Sequence, residues 1–400
     1  MTHRPFRPIL YLVILLCIGC NRSNTPHDTL PQLSLTLPVA PDKVTRDHWT
    51  TGCTLRVDDR HTRGISPVSV KLRGHSTADK PKRPYTLKLP TRGSLLGLPP
   101  HKRYVLLAGF FDHSLMRNAL AFEVARCTSL ALTTPQGRFV HLTINDIYQG
   151  IYYLCEAAKD MTRNHLIEVD AYAAKEDEHT FHTTHRQLPA SVKRPDHPTP
   201  WQMDLLRNTL DKAELTLDSL HLDLTTFADY WLVSELCMNA EPNGPRSCYL
   251  HIADDGRVAA GPVWDFDMSF NPVGVDAGGD LRPTRFKGHR QARWLTTDSL
   301  YNPQSLWYGT LLANDAFRTL VHQRWQLLRP RFEQLTQYID SIDHLIGPSA
   351  ALDQQQWNSL EPARFDTCTT YTSAVANLRA IYTERIAKLD SIIGSMRHEK

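Results

Sequence analysis

The sequence predicts an α+β protein with a bilobal plan: a β-rich N-lobe over residues 30–160, a helical C-lobe over 161–300 and a helical C-terminal extension over 301–400. Three observations carry this. From Leu33 to Leu89, apolar and polar residues alternate with period two, the spacing that buries one face of a strand. From Trp201 to Met238, and again from about Ser305 onward, apolar residues recur at helical spacing. Between these regions, residues 171–200 are polar and His-rich and read as a long loop. No internal repeat interrupts the plan.

The first residues stand outside the fold. "MTHRPFRPILYLVILLCIGC" has two bases, Arg4 and Arg7, then an apolar run from Ile9 to Ile18. That run is too short to span a bilayer and reads as an export signal. It ends in Cys17-Ile18-Gly19-Cys20, where a small residue before Cys resembles a bacterial lipoprotein cleavage site; Cys17 stands where such sites usually carry Leu. The expectation is a signal peptide over 1–19, a lipid on Cys20, a polar tether over 20–29 and an extracytoplasmic protein. The lipid would hold it to a bacterial membrane, at the cell surface or on the periplasmic face. The 45 Lys and Arg residues face 42 Asp and Glu, and two of the bases precede Cys20, so the exported part is close to neutral. That excludes the basic footprint of a nucleic-acid binder. Cys53, Cys127, Cys155, Cys237, Cys248 and Cys368 are scattered without a C-x-x-C pair, which argues against a zinc cluster and leaves paired and free thiols both open.

The elements follow in order. "LSLTL", "CTLRV", "VSVKLRG" and "YTLKL" alternate as strands, and "RYVLLAGFF" reads as a buried one. Asp112 can cap the helix "SLMRNALAFEVARC". "RFVHLTIND" and "IYYLCE" then form a hairpin, with its turn expected at Tyr148-Gln149-Gly150. After the helices of 201–238 come "SCYLHIA" and "RVAAGPVW", joined by Asp254-Asp255-Gly256. The helical C-terminal extension is expected to break at Pro330 and Pro348.

Five places carry residues suited to chemistry. In "YTLKL", Tyr85, Leu87 and Leu89 share one face and Thr86 and Lys88 the other, so Lys88 is either a solvated lysine or a phosphate ligand. On the next helix, Met116, Leu120, Glu123 and Cys127 form one stripe. A carboxylate buried there needs a cation, with Lys88 and Arg117 as candidates, unless Glu123 sits at the stripe's edge in water. In "CMNAEPNGPRSCYL", Glu241 can orient or accept a proton from a hydroxyl, with Asn239, Asn243 and Ser247 nearby; a plain Asn-Pro-Gly turn is the other reading. In "GPVWDFDMSF", Asp265 at a strand end, with Phe266 packed beneath, suits Mg²⁺, which takes carboxylate and phosphate oxygens. Asp267 is a second ligand or a turn former. "EHTFHTTH" puts His179, His182 and His185 three apart, a weak zinc signal in loop-like sequence.

Five ordered blocks, "VKLRGHSTADKPKRPYTLKL", "LMRNALAFEVAR", "DIYQGIYYLCE", "YWLVSELCMNAEPNGPRSCYLHI" and "GPVWDFDMSF", resemble the CotH family of spore-coat-type secretory-pathway kinases. The resemblance runs from about Leu30 to Phe270. It implies an atypical protein-kinase-like fold that transfers the ATP γ-phosphate to Ser or Thr of an exported protein substrate, with Mg²⁺ or Mn²⁺. By motif, Lys88 becomes the nucleotide-phosphate lysine, Glu123 its bridging partner, Glu156 a residue of the inter-lobe hinge and Asp265 the metal acid. The chain departs from the pattern at Asn239-Ala240-Glu241, where many relatives carry Asp in place of Glu241. Ser247 stands near where a metal-binding amide would help. The RGHST turn carries one glycine, which thins the backbone grip on phosphate. Two other readings stand beside this one. The first is a catalytically inactive cell-surface binding or adhesion protein that keeps the fold. The second is a glycan-processing enzyme using Glu241 with Asp265 or Asp267.

Overall fold

The computed structural model describes residues 30–59, 63–172, 179–271, 273–276, 281–282, 291–357 and 368–396. The expected signal peptide, Cys20 and the tether lie outside the described residues.

The alternating N-terminal segment forms β1 (Gln32–Thr36), β2 (Thr50–Asp58), β3 (Arg63–Leu72), β4 (Tyr85–Gly93), β5 (His101–Leu107), β6 (Gly137–Ile144) and β7 (Ile147–Glu156). These close into a seven-stranded barrel in the order β1-β2-β3-β4-β5-β7-β6. Closure is made by a parallel pairing of β1 with β6, Gln32 opposite His141. Leu35, Leu55, Val70, Leu87, Leu106, Leu142 and Leu154 fill the interior. The period-two pattern predicts such strands, but closure depends on which strands meet. It removes the unpaired edges an open sheet would expose.

The β6–β7 turn falls at Asn145 (φ 48°) and Asp146 (φ 63°), not at Tyr148-Gln149-Gly150. Two successive positive φ values make the two-residue hairpin connection, and Asn and Asp tolerate them. Gly150 (φ 93°) lies inside β7, where a Cβ would stand 2.2 Å from an Asp353 oxygen. The glycine marks a close approach, not a turn.

Helix α1 (Arg117–Arg126) packs beyond the barrel. The helix starts four residues later than the expected Asp112 cap allows, with Met116 as its N-cap and no side-chain cap bond, but Asp112 still serves the approach: Oδ1 accepts from Ser114 N–H at 2.9 Å and Oδ2 from the first helical N–H, of Arg117, at 2.8 Å. A second, five-stranded sheet follows, made of β8 (Leu166–Val169), β9 (Thr180–His182), β10 (Pro189–Arg194), β11 (Cys248–Ile252) and β12 (Val258–Ala260), in the order β12-β11-β8-β10-β9. Part of the segment predicted as a long loop is therefore the β9–β10 hairpin, which buries Phe181, Ala190 and Val192. The polar residues between these three hide the pattern in the sequence.

Helices α2 (Pro200–Thr216) and α3 (Leu224–Leu236) have side-chain caps at Thr199 and Asp223. A small sheet of β13 (Val273–Asp276), β14 (Leu281–Arg282) and β15 (Gln291–Leu295) precedes α4 (Tyr308–Ala313), α5 (Asp315–Trp357) and α6 (Tyr371–Met396). Helix α5 runs unbroken through Pro330 and Pro348. A proline inside a helix costs about 3 kcal/mol. The buried stripe Phe317, Val321, Trp325, Leu328, Phe332, Leu335, Ile339, Ile342 and Ile346 offsets that by packing on its neighbours. Among the described residues no helix is long and apolar enough to cross a membrane. Cys53, Cys127, Cys155, Cys237, Cys248 and Cys368 are free thiols.

Candidate functional site

The barrel's outer face meets the second sheet across a cleft of about 560 Å³. Register decides which side chains enter it. Tyr85, Leu87 and Leu89 point into the barrel, so Thr86 and Lys88 point out. Lys71 pairs with Thr86 and Arg103 with Lys88, which puts all four on one face. Opposite lie Glu168, Val192, Lys193 and Tyr249. Three cations in the cleft rest on aromatic rings. Lys88 Nζ is 5.2 Å and Lys71 Nζ 6.0 Å from the Trp49 ring, and the Arg73 guanidinium is 4.8 Å from Trp264. Among the described residues no carboxylate forms an ion pair with any of the three. The other cleft cations are paired: Arg103 with Asp160 (2.5 Å) and Asp196 (3.2 Å), and Lys193 with Glu168 (2.9 Å).

A crevice of carboxylates adjoins Trp264. Asp265 has φ 67° and Ser247 φ 49°, left-handed conformations that cost these residues about 1–2 kcal/mol each. The two face each other, and Ser247 Oγ donates to Asp265 Oδ2 at 3.3 Å. Ser247 N–H donates to Asp170 Oδ2 at 3.0 Å. Helix α1 fixes the other side: Phe266 N–H donates to Asn118 Oδ1 at 2.9 Å, and the Trp264 and Phe266 rings pack on Phe122. The phenylalanine between the two acids is therefore the anchor that holds both at the surface of the crevice.

These acids raise one another. Burial, then Asp265, push Glu241 up to about 8; Arg246 opposes and Asp170 adds to the rise. Burial raises Asp265 against Arg73 and Ser247. Burial, Asp265, Glu241 and Asp112 push Asp267 well above the carboxylate range, with Arg117 opposing. Between the ordinary value of 4.5 and about 8, folded Glu241 holds a proton that the unfolded chain has released. Stability of the metal-free protein therefore falls as pH rises through that window. In chelator-treated protein, Tm is expected to decline from pH 5 to pH 8, and Glu241→Gln is expected to flatten the decline. Equal slopes in melts of both proteins would dismiss Glu241 as the source.

The structure places the predicted residues as follows. Lys88 lines the cleft, Asp265 and Asp267 lie in the crevice, and Glu241 opens the one-turn helix Glu241–Asn243 beside them. Glu156 ends β7 where the chain leaves the barrel. Its carboxylate turns away from the cleft to His101 Nε2 (2.6 Å) and Gln136 N–H (2.8 Å), while Ala157 and Ala158 line the cleft. The Lys88–Glu123 bridge is not formed. Glu123 accepts from Arg126 Nη2 at 2.6 Å, one turn along its own helix. A local i,i+3 cation satisfies it without a partner from the sheet. Arg117, the other candidate, donates to Asp267 O and Asn271 Oδ1. His182 and His185 are exposed and His179 lines the cleft. Among the described residues no three His, Cys, Asp or Glu side chains are grouped to hold a metal ion by themselves.

Sequence reasoning missed Lys71, Arg73, Trp49 and Asp170. Lys71 and Arg73 carried a signal, since in "VSVKLRG" they share the polar parity of their strand. Arg73 is the residue that couples the two compartments. It lies on Trp264 in the cleft and draws the Asp265 carboxyl down.

The fold and site define a mixed α+β protein with a cationic, aromatic cleft beside a carboxylate crevice. The chain matches the family model described as CotH kinase protein over residues 70–389, from β3 into α6, and it belongs to the CotH family. No curated protein matches it.

Proposed function

We propose that this CotH-family chain is a bilobal, kinase-like phosphotransferase that moves the ATP γ-phosphate to a Ser or Thr hydroxyl of an exported protein. The observation that carries the reading is the trio Lys71, Arg73 and Lys88. Among the described residues these three cations form no ion pair with a carboxylate, and they face a cleft large enough for a nucleotide, next to a cluster of acids. Lys71 and Lys88 would neutralise phosphate oxygens, and Arg73 would do so nearest Asp265. Val105, Ala157 and Ala158 offer an apolar wall for the base, with Glu156 bracing the hinge from behind.

The acids fit a divalent cation. Asp265 and Glu241 both raise Asp267, a repulsion that positive charge would relieve, and Mg²⁺ or Mn²⁺ needs only one or two protein carboxylates when phosphate and water complete its shell. When bound there, the ion would lower the charge on the transferring group. Glu241 would orient the acceptor hydroxyl, and Ser247 and Asn118 would hold the Asp265 segment still. Catalysis of this kind rests on positioning and electrostatics. Export by the N-terminal signal and a lipid on Cys20 would place the protein outside the cytoplasm on a bacterial membrane; fatty-acid labelling of the chain in cells tests that anchor.

One observation favours a second reading, a surface binding or adhesion protein that keeps the fold without transfer. Glu241 replaces an acid one methylene shorter, and its raised pKa keeps it protonated near neutrality, so it is a poor proton acceptor. The deciding experiment incubates the mature chain with Mn²⁺, γ-labelled ATP and an acceptor such as casein. Label in the protein fraction is expected, and Lys88→Ala or Arg73→Ala is expected to raise KM for ATP about tenfold each. No label, with no nucleotide-induced rise in Tm, hands the case to the binding protein.

A further inference from the structure

The C-terminal extension reaches the Glu241 loop through a chain of buried groups. Arg385 on α6 is fully buried. It donates to Glu235 Oε2 at 2.9 Å and to Glu235 O at 3.0 Å, at the end of α3. It also donates to the carbonyls of Thr297 and Ser299, at 2.7 Å each. Glu235 in turn accepts the backbone N–H of Tyr301 (2.8 Å) and of Asn302 (2.5 Å). Asn302 is therefore held from behind, and its side-chain amide faces the loop. Nδ2 donates to Asn239 O at 2.8 Å, and Oδ1 accepts from Asn243 Nδ2 at 3.0 Å. These two residues flank Glu241, whose N–H donates to Asn239 Oδ1 at 3.1 Å.

We infer that Asn302, fixed by Glu235 and Arg385, is a positioning residue for Glu241. This rests on the reading of Glu241 as the group that orients the acceptor hydroxyl. The physical case is economy of contacts. The loop's own backbone bonds, from Asn243 N–H to Ala240 O and from Gly244 and Arg246 N–H to Glu241 O, close only local turns, so its orientation against the rest of the fold comes from outside bonds. Asn302 supplies one donor and one acceptor on the two sides of Glu241, and its own position is set by a buried carboxylate and guanidinium that have no freedom to move. Trp231 Nε1 donates to Asn302 O at 3.1 Å, which completes the seat. The nucleotide cleft shares none of these residues. Loss of Asn302 should therefore act on the chemical step and leave nucleotide binding alone.

The test is Asn302→Ala in the full mature chain, read in two ways. Steady-state transfer from Mn²⁺–ATP is expected to lose about 10–100-fold in kcat with KM for ATP changed less than about threefold, the signature of lost orientation. Amide hydrogen exchange at Glu241 and Asn243 is expected to quicken about tenfold or more. Asn243→Ala, which cuts the same connection from the loop side, is expected to repeat both effects and serves if Asn302→Ala does not fold. Arg379→Ala, which removes only the exposed pair with Asp340 on the neighbouring helix, is expected to change neither. Unchanged kcat in an active protein, or unchanged exchange at Glu241 and Asn243, overturns the inference. A wild type without transfer sinks the kinase reading, and the exchange arm still judges the positioning.

Discussion

Asp265→Asn is expected to remove about 10²–10³-fold or more of the phosphoryl transfer while leaving metal-free nucleotide binding as tight as before or tighter. The size follows from what the residue does. In the proposed reaction it would present its carboxylate from a fixed backbone, and removing one preorganised electrostatic group at a reacting centre typically costs that much. Asparagine is the right replacement. It keeps the shape and tolerates the left-handed φ of 67° that alanine would adopt only with strain. The sign for nucleotide binding follows from charge. The variant removes an anion beside Arg73, so that guanidinium is freer to meet phosphate. Titrating ATP in chelator and then in Mn²⁺ separates the two effects: the wild type should gain affinity from the metal and the variant should not. Full transfer in Asp265→Asn would take this residue out of the mechanism.

The largest effect on stability is expected at Lys82→Met. Lys82 is 1 % exposed in the barrel's β3–β4 connection, and it donates to both oxygens of Asp353 on α5 (2.6 and 2.9 Å) and to Ile151 O (2.8 Å). Asp353 Oδ2 also accepts Ile151 N–H at 2.9 Å. Burial pushes the Lys82 pKa down, and Asp353 pulls it back up. Removing the ammonium strands a buried carboxylate beside Gly150, which costs about 3–5 kcal/mol. For a chain of 400 residues that is a fall in Tm of about 4–6 °C. Lys82→Met combined with Asp353→Leu is expected to recover most of the loss, because the desolvated charge goes with its partner. A single variant that melts within a degree of wild type would show the pair to be solvated in solution.

The same two sites show what sequence reading reaches and what it does not. The alternation in "YTLKL" fixes that Lys88 opposes Leu87, and the structure bears that out with Leu87 inside the barrel and Lys88 in the cleft. "WDFD" shows two acids around a buried aromatic, and Phe266 is that anchor. That Asp112 serves the start of the next helix is equally plain, because such a bond acts within a few residues, although Met116 and not Asp112 holds the N-cap position. Of the two readings of Glu123 the structure takes the second: the side chain is 30 % exposed at the edge of its stripe, and Arg126 one turn along pairs with it more cheaply than a strand lysine could.

Sequence alone determined the local period of the barrel strands and of the main helices, the parity that sets Lys88 opposite Leu87, and the motif blocks that point to the CotH family. Only the tertiary structure decided that seven strands close on themselves, that α5 outruns two prolines, that Arg73 links the cleft to the acids, and that Arg385 and Asn302 support a loop more than fifty residues away in the chain. The division has one cause. Backbone dihedrals and burial periodicity are written in neighbouring residues, whereas a charge pair, a hydrogen bond or a closing strand depends on which distant segments pack together, and many sequences satisfy the same local pattern.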